Sequence, residues 1–380
     1  MNNKGEEIKM NTQIIIPNMD AIALPAPYWL FKLLLVLTFI LHIVIMNFMF
    51  GGSIIAIMAR LRSGKDSKYG QLASDIFKKI PSLLAATITL GVAPLLFLQV
   101  IYGQYFYTSS IVIAWPWFLV LVLLLLAYYG FYIVAFKAEK LKRAIGWVML
   151  LSAFFIFLIG FFYSNNLTLM LTPEKWAAKY FDNPTGWNLN WGEGMLIPRF
   201  LHFFVASIAV GALLLVLTGF YRWRKDQEYS RFMIIFGGRW FMYSTMAQFI
   251  MGIWFLISLP RDKMLLFMGD NMLATIALLI GISGALAAIF IMSNALKADD
   301  PRKGAGWAIA LTAVVVTFMS IMRDVLRDAY LSPYFDPSRF VVKTQWDVLI
   351  LFLLLFVAGV VLWVIMFKKY FFNPELQVKQ

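Results

Sequence analysis

The sequence contains no cysteine and only two histidines, His42 and His202, among its 380 residues. Without cysteine the chain can form no disulfide, thiolate metal site, iron–sulfur cluster or covalently attached c-type haem. Charged residues are also scarce, at 14% of the chain, whereas 61% of the residues are hydrophobic. Soluble domains do not have this balance, and the composition therefore predicts an all-α polytopic membrane protein.

Nine apolar segments are long enough to cross about 30 Å of hydrocarbon as helices. They form a predicted transmembrane domain over residues 28–370, between a polar N-terminal tail (1–27) and a C-terminal tail (371–380). The N-terminal tail lacks the basic start and the cleavage site of a signal peptide, so we expect it to be retained. The predicted spans are 33–59, 81–103, 112–136, 144–164, 198–221, 236–259, 270–294, 305–327 and 346–367.

Basic residues are concentrated in alternate loops. The loops 60–80, 137–143, 222–239 and 297–303, with residues 368–380 after the last predicted span, carry 21 Lys and Arg and 8 acidic residues, and the remaining chain carries 12 of each. Basic loops stay in the cytoplasm, which predicts an outer N-terminus and a cytoplasmic C-terminus. The net charge of +13 therefore reflects topology in a lipid bilayer, and no nucleic-acid partner is predicted.

The largest predicted outer loop, 165–197, contains "YFDNPTGWNLNWGEG" and is rich in Trp, Asn and Gly. Two interpretations remain open for it. The loop either is a solvated interfacial segment, or it packs over the outer face or meets a partner.

Four polar side chains share one predicted depth, because each lies 18 to 20 residues from the basic residue at the cytoplasmic end of its span. They are His42, His202, Gln99 and Arg323. At about 1.5 Å per residue, this layer lies about 27–30 Å from the cytoplasmic edge. Polar side chains at such positions face the bundle interior and pair with another group.

Imidazoles in a cysteine-free membrane bundle are suited to ligate haem iron, because haem is flat and apolar and fits between helices. Arg199 precedes His202 by three residues and therefore shares its helix face. It is placed to neutralise a haem propionate, and Arg323 is a second candidate for that role. The alternative interpretations are hydrogen-bonded packing histidines and arginines that anchor the helices at the interface.

Two segments resemble subunit I of the cytochrome bd quinol oxidases: "LHIVIMNFMFGG" in the first span and "RFLHFFVASIAVGALLLVL" in the fifth. The resemblance implies a nine-span subunit of the bacterial inner membrane that holds one or two b haems. It implies that His202 ligates the iron of a low-spin haem, that His42 is also a haem ligand, and that Met272, in "MGDNMLATIALLIGISG", is the second ligand opposite His202.

The sequence departs from that family where oxygen chemistry is concerned. Gln99 and Ser320 stand where the family has glutamates, although Arg323 is retained. The long quinol-binding loop between spans six and seven is absent, and only "PRDKMLLFMGD" connects them. An amide or a hydroxyl neither ligates iron nor passes protons well at neutral pH. We therefore expect no oxygen reduction by this chain alone.

Three functions follow from these observations. The leading hypothesis is a b-haem oxidoreductase subunit that relays electrons between membrane quinone and a periplasmic partner such as a cytochrome c, within a complex of membrane and periplasmic redox subunits. His42 then either ligates a second haem or shares one haem with His202. The second hypothesis is a haem-free quinone-binding anchor that uses His202, Gln99 or Gln104. A transporter is the third hypothesis. It is disfavoured because transporters often have charged residues at the middle of the membrane, whereas here that region is nearly uncharged and Gln248 is its main polar residue.

Overall fold

Long apolar runs fold into helices because a helix satisfies every backbone N–H and C=O within its own segment. The computed structural model describes residues 16–18, 22–63, 67–137, 140 and 144–372. The helices are α1 (Tyr28–Arg62), α2 (Ser67–Phe77), α3 (Ile80–Val112), α4 (Ala114–Phe136), α5 (Ile145–Met170), α6 (Trp176–Asp182), α7 (Leu196–Arg222), α8 (Gln227–Ile257), α9 (Arg261–Leu265), α10 (Met272–Lys297), α11 (Arg302–Leu331) and α12 (Trp346–Phe372).

Nine helices in the described part of the chain are long and apolar enough to cross a membrane, which confirms the predicted number of spans. They are α1, α3, α4, α5, α7, α8, α10, α11 and α12. Residues 1–15 of the predicted N-terminal tail and 373–380 of the C-terminal tail lie outside the described residues. The predicted orientation of the termini stays a prediction.

Capping side chains account for two helix starts that hydropathy alone misplaces. α8 begins at Gln227, nine residues before the predicted span, because the Asp226 carboxylate accepts a hydrogen bond from Tyr229 N at 3.0 Å. α10 begins at Met272 because the Asn271 side chain accepts one from Ala274 N at 2.9 Å.

The largest predicted outer loop packs over the helix ends. Asn188 and Asn190 are 6% and 0% exposed, and the side chain of Asn165, at the end of α5, accepts a hydrogen bond from Asn190 N at 2.9 Å. Of the two interpretations of residues 165–197, the structure supports packing over the end of the bundle.

α1 and α7 approach each other closely in the core. A Cβ added to Gly51 would lie 1.9 Å from Ser207 O, and one added to Gly211 would lie 2.7 Å from Gly51 Cα. Small residues therefore let the two backbones touch, as is common in membrane bundles. Phe50 pairs with Phe204 while Gly52 faces Leu214, so the two helices run in the same direction.

α12 lies at the edge of the bundle, and its apolar surface is exposed along its length. The segment that precedes it is tied to the N-terminal segment by backbone hydrogen bonds. Leu24 N donates to Val341 O at 2.8 Å, and Lys343 N donates to Leu24 O at 2.9 Å. These bonds form one isolated bridge and no sheet in the described residues.

Candidate functional site

A cavity of about 270 Å³ lies between α1, α7, α8, α10 and α11, with residues of α5 at one end. Its lining is mostly apolar and includes no carboxylate among the described residues. The polar lining residues are Asn47, Arg199, His202, Thr245, Gln248, Thr312, Ser320, Arg323 and Arg327. Three of the predicted site residues, Arg199, His202 and Arg323, therefore line one cavity.

His202 enters this cavity from α7, and α8 holds its ring in place. Gln248 Nε2 lies 3.0 Å from His202 Nδ1 and also donates to His202 O at 3.0 Å. One turn further along α8, a Cβ added to Gly252 would lie 3.4 Å from His202 Cε1. The glycine thus leaves room for the ring, which Phe255 flanks at 6.0 Å between centroids.

The Gln248 amide determines which nitrogen of His202 is available to a ligand. When its N–H donates to Nδ1, the ring proton is on Nε2. Gln248 Oε1 is buried and has no partner in the described structure. A half-turn of the amide would bring this oxygen to Nδ1, where it accepts a hydrogen bond from Nδ1–H and leaves the Nε2 lone pair free, at the cost of the Gln248 hydrogen bond to His202 O. Metal-ligating histidines generally donate their second N–H in this way.

Three arginines lie at one end of the cavity, which we call the arginine end. Arg199 and Arg327 are 7% and 5% exposed, and Arg323 Cζ lies 4.1 Å from the centroid of the Phe39 ring. Among the described residues, no carboxylate pairs with Arg199 or Arg323. Arg199 Nη1 is buried without any hydrogen-bond partner there. A buried guanidinium without a counter-ion is costly, so the arginine end is suited to bind an anion.

An ion network closes the arginine end. Lys32 Nζ of α1 lies 2.6 Å from Asp324 Oδ2 and 2.7 Å from Asp328 Oδ2, both on α11. Tyr102 of α3 donates to Asp328 Oδ1 at 2.6 Å, and Arg327 pairs with Asp324. Arg327 is thus neutralised from outside the cavity, whereas Arg199 and Arg323 are not.

His42 does not line this cavity, and its ring lies at the interface of α1 and α3. Its Nδ1 lies 3.1 Å from Thr87 O, so Nδ1–H donates to that carbonyl and Nε2 keeps its lone pair. A Cβ added to Gly91 would lie 2.8 Å from His42 Cε1. The structure therefore does not bring His42 and His202 to one cavity.

Two other predicted site residues also lie outside the cavity lining. Gln99 lies on α3, eight residues beyond Gly91, which is about 12 Å further along the helix. It therefore does not share the depth of His42, contrary to the predicted layer. Met272 begins α10 and is 78% exposed. Ser320, in contrast, lines the cavity, and its hydroxyl donates to Val316 O at 2.8 Å.

Arg327 and Asn47 are lining residues that sequence reasoning did not select. Arg327 follows Arg323 by four residues, which places both on one helix face, and this spacing was a usable signal. Asn47 carried no such signal, although its Oδ1 is buried without a partner in the described structure.

Comparison with known proteins places the fold. No family model matches the chain, and no curated protein matches it in sequence. A chain in the structure of bd oxidase from Geobacillus thermodenitrificans matches with a TM-score of 0.72 at 13% sequence identity. The match covers 93% of the present chain and 100% of that chain. The predicted resemblance is therefore confirmed at the level of the fold.

Proposed function

We propose that this chain is a b-haem membrane subunit of a respiratory electron-transfer complex. The observation that carries the proposal is the apolar cavity, which combines one imidazole with two arginines, Arg199 and Arg323, that have no carboxylate partner among the described residues. The shared fold with a bd oxidase chain supports a role in membrane redox chemistry. The chain would relay electrons between the quinone pool of a bacterial inner membrane and a cytochrome on the outer face.

The residues of the cavity fit haem b in their chemistry. Haem needs an apolar slot, an axial ligand for iron and partners for two propionates. The lining supplies apolar side chains, the His202 imidazole, and the guanidinium groups of Arg199 and Arg323. No carboxylate lines the described cavity, so nothing there would repel the propionates.

Each residue then has a defined task. His202 would ligate the iron through Nε2, and Gln248 would hold Nδ1–H and so orient the ring. Arg199 and Arg323 would bind the propionates at the arginine end. The apolar lining would exclude water. When bound, haem b exchanges single electrons with its neighbours.

His42 remains a candidate ligand for a second haem. The His42 Nε2 lone pair is available, since Nδ1–H donates to the Thr87 carbonyl. No oxygen reduction is proposed. Ser320 donates to a backbone carbonyl, and the described cavity contains no carboxylate that could ligate iron.

A matched pair of histidine variants tests the proposal. The chain is purified from membranes in mild detergent, and haem b per chain is measured by the pyridine haemochrome assay. We expect His202→Ala to lose the haem that this cavity holds and His42→Ala to keep it. Retention of the full haem content by a monodisperse His202→Ala protein would contradict the assignment.

The cavity also favours a second candidate, a haem-free quinone-binding anchor subunit. Gln248 and His202 form a hydrogen-bonding pair in an apolar pocket, which suits a quinone head group. Gln99 and Gln104 do not line this cavity, so His202 would bind the quinone without them. Extracted quinone in a preparation that has no b-type absorption would favour this candidate over the first.

A further inference from the structure

Three methionines line the cavity, and each is a candidate for the second iron ligand if the proposed haem is bound there. They are Met170, Met319 and Met322. Among the described lining residues, thioethers are the only other donors suited to haem iron, since His202 is the one imidazole and no carboxylate is present. Met272, at 78% exposure, is outside the lining.

The helix contacts define the depth of His202. α1 and α7 run in the same direction, and Gly51 touches both Ser207 and Gly211. This contact gives one reference level on both helices. His42 lies nine residues before it on α1, and His202 lies seven residues before it on α7, counted from the midpoint of Ser207 and Gly211. The two histidines therefore lie within about 3 Å of the same depth.

Met319 reaches that depth from α11. Arg323 of α11 lies against Phe39, which is three residues from His42 towards the arginine end. Met319 is four residues from Arg323 in the opposite direction, or about 6 Å deeper. It therefore lies within about one helical turn of the depth of His42 and hence of His202. Met322 is adjacent to Arg323 and so lies at the level of the arginine end.

Packing separates the three methionines in the same way. Met170 is fully buried in the apolar cluster at the arginine end, and Met322 packs against that cluster. Met319 belongs neither to that cluster nor to the larger apolar cluster that contains Met49 and Leu214. Its Cε lies 4.0 Å from the position of a Cβ added to Gly281, which is itself a lining residue of α10. Because Gly281 has no side chain, the thioether of Met319 has room within the cavity.

We propose that Met319 is the axial ligand opposite His202. The inference rests on the proposed haem, and it moves the second ligand from the seventh span, where the resemblance had placed it, to the eighth. The two helices would then contribute in the same way. On α7, His202 lies one turn deeper than Arg199, and on α11, Met319 lies one turn deeper than Arg323. A thioether ligand raises the reduction potential relative to a second imidazole.

Near-infrared magnetic circular dichroism of the oxidised protein tests this assignment, because a methionine sulfur on ferric low-spin haem gives a characteristic charge-transfer band. Met319→Leu is compared with the matched controls Met322→Leu and Met272→Leu, and haem b per chain is counted in each. Met319→His provides a second variant that supplies a new ligand at the same place.

We expect the band in the wild type and in both controls, and its loss in Met319→Leu and Met319→His. Met319→His should also keep its haem and show a lower midpoint potential. A band that survives in Met319→Leu, or is lost in Met272→Leu instead, would overturn the assignment. A wild-type protein with haem b but without the band would also overturn it, while leaving the proposed function intact. A wild type without haem would overturn the proposed function itself.

Discussion

The ion network at the arginine end predicts strong coupling between Lys32 and Asp328. Lys32 Nζ lies 2.8 and 2.7 Å from the two carboxylate oxygens of Asp328 and 2.6 Å from Asp324. The Lys32 and Asp324 side chains are each 15% exposed, and Asp328 is 45% exposed. Removing one partner of a buried pair costs about 3–5 kcal/mol, and the exposure of Asp328 favours the lower end. We expect Lys32→Met to lower the unfolding free energy by about 3 kcal/mol.

A double-mutant cycle separates this coupling from general damage. With Arg327 included, the network has two cations and two anions, so either single change leaves an unbalanced charge and the double change restores neutrality. The unfolding free energies of the wild type, Lys32→Met, Asp328→Asn and the double variant are measured in mixed detergent micelles. The double variant should lose about 1–2 kcal/mol less than the sum of the single losses.

The exposed Arg302–Asp300 pair provides the control cycle. Hydrogen bonding by Arg302 lowers the pKa of Asp300 to about 2, so this pair stays ionised at neutral pH. Its two changes should be additive, because solvent screens an exposed pair. Additive losses at Lys32 and Asp328 as well would refute the view that the network couples α1 to α11.

Three further predictions concern helix contact, ligand orientation and the uncompensated charge. Gly51→Ala should greatly reduce the yield of monodisperse protein, because the new Cβ would lie 1.9 Å from Ser207 O. The control Gly52→Ala should be tolerated, because the atom nearest to its Cβ would be 3.8 Å away. Equal yields of the two variants would contradict the close contact. Gln248→Leu should weaken haem binding about 10–100-fold in a haemin titration, and an unchanged affinity would rule out its orienting role. Arg199→Gln should raise the thermal stability of the haem-free chain while weakening haem binding, and a loss of stability would show that Arg199 has a structural partner.

Hydropathy predicted the nine spans because every spanning helix needs a long run of apolar residues to cross the hydrocarbon. This requirement applies to each segment separately and does not depend on how the helices pack. It did not predict α2 (Ser67–Phe77), a short helix between the first two spans, because that segment has no long apolar run. The start of α8 was misplaced for a local reason, since the Asp226 cap extends the helix beyond its apolar part.

The candidate site was predicted in part. Residue counts from the basic edge placed His42 and His202 at one depth, which the α1–α7 contact supports. The same count failed for Gln99, because the contact of His42 with Gly91 shows that α3 is offset against α1. A count along one helix contains neither its tilt nor its offset against a neighbour.

Helix rotation was the second unknown. Most of these spans are apolar on all sides, so no polar face tells which side points inward; α11 is an exception near its C-terminal end, where Arg323 and Arg327 mark one face. The choice between Met272 and Met319 depends on this rotation. It also explains why His42 and His202, although level, face different neighbours.

The haem content of the wild-type chain tests the central claim most directly. The protein is purified from its membranes without added haem, and haem b per chain is measured together with the reduced-minus-oxidised absorption spectrum. We expect at least one haem b per chain with a low-spin b-type spectrum. A monodisperse, helical protein that contains no haem under these conditions would contradict the claim that His202 and the arginine end form a haem site.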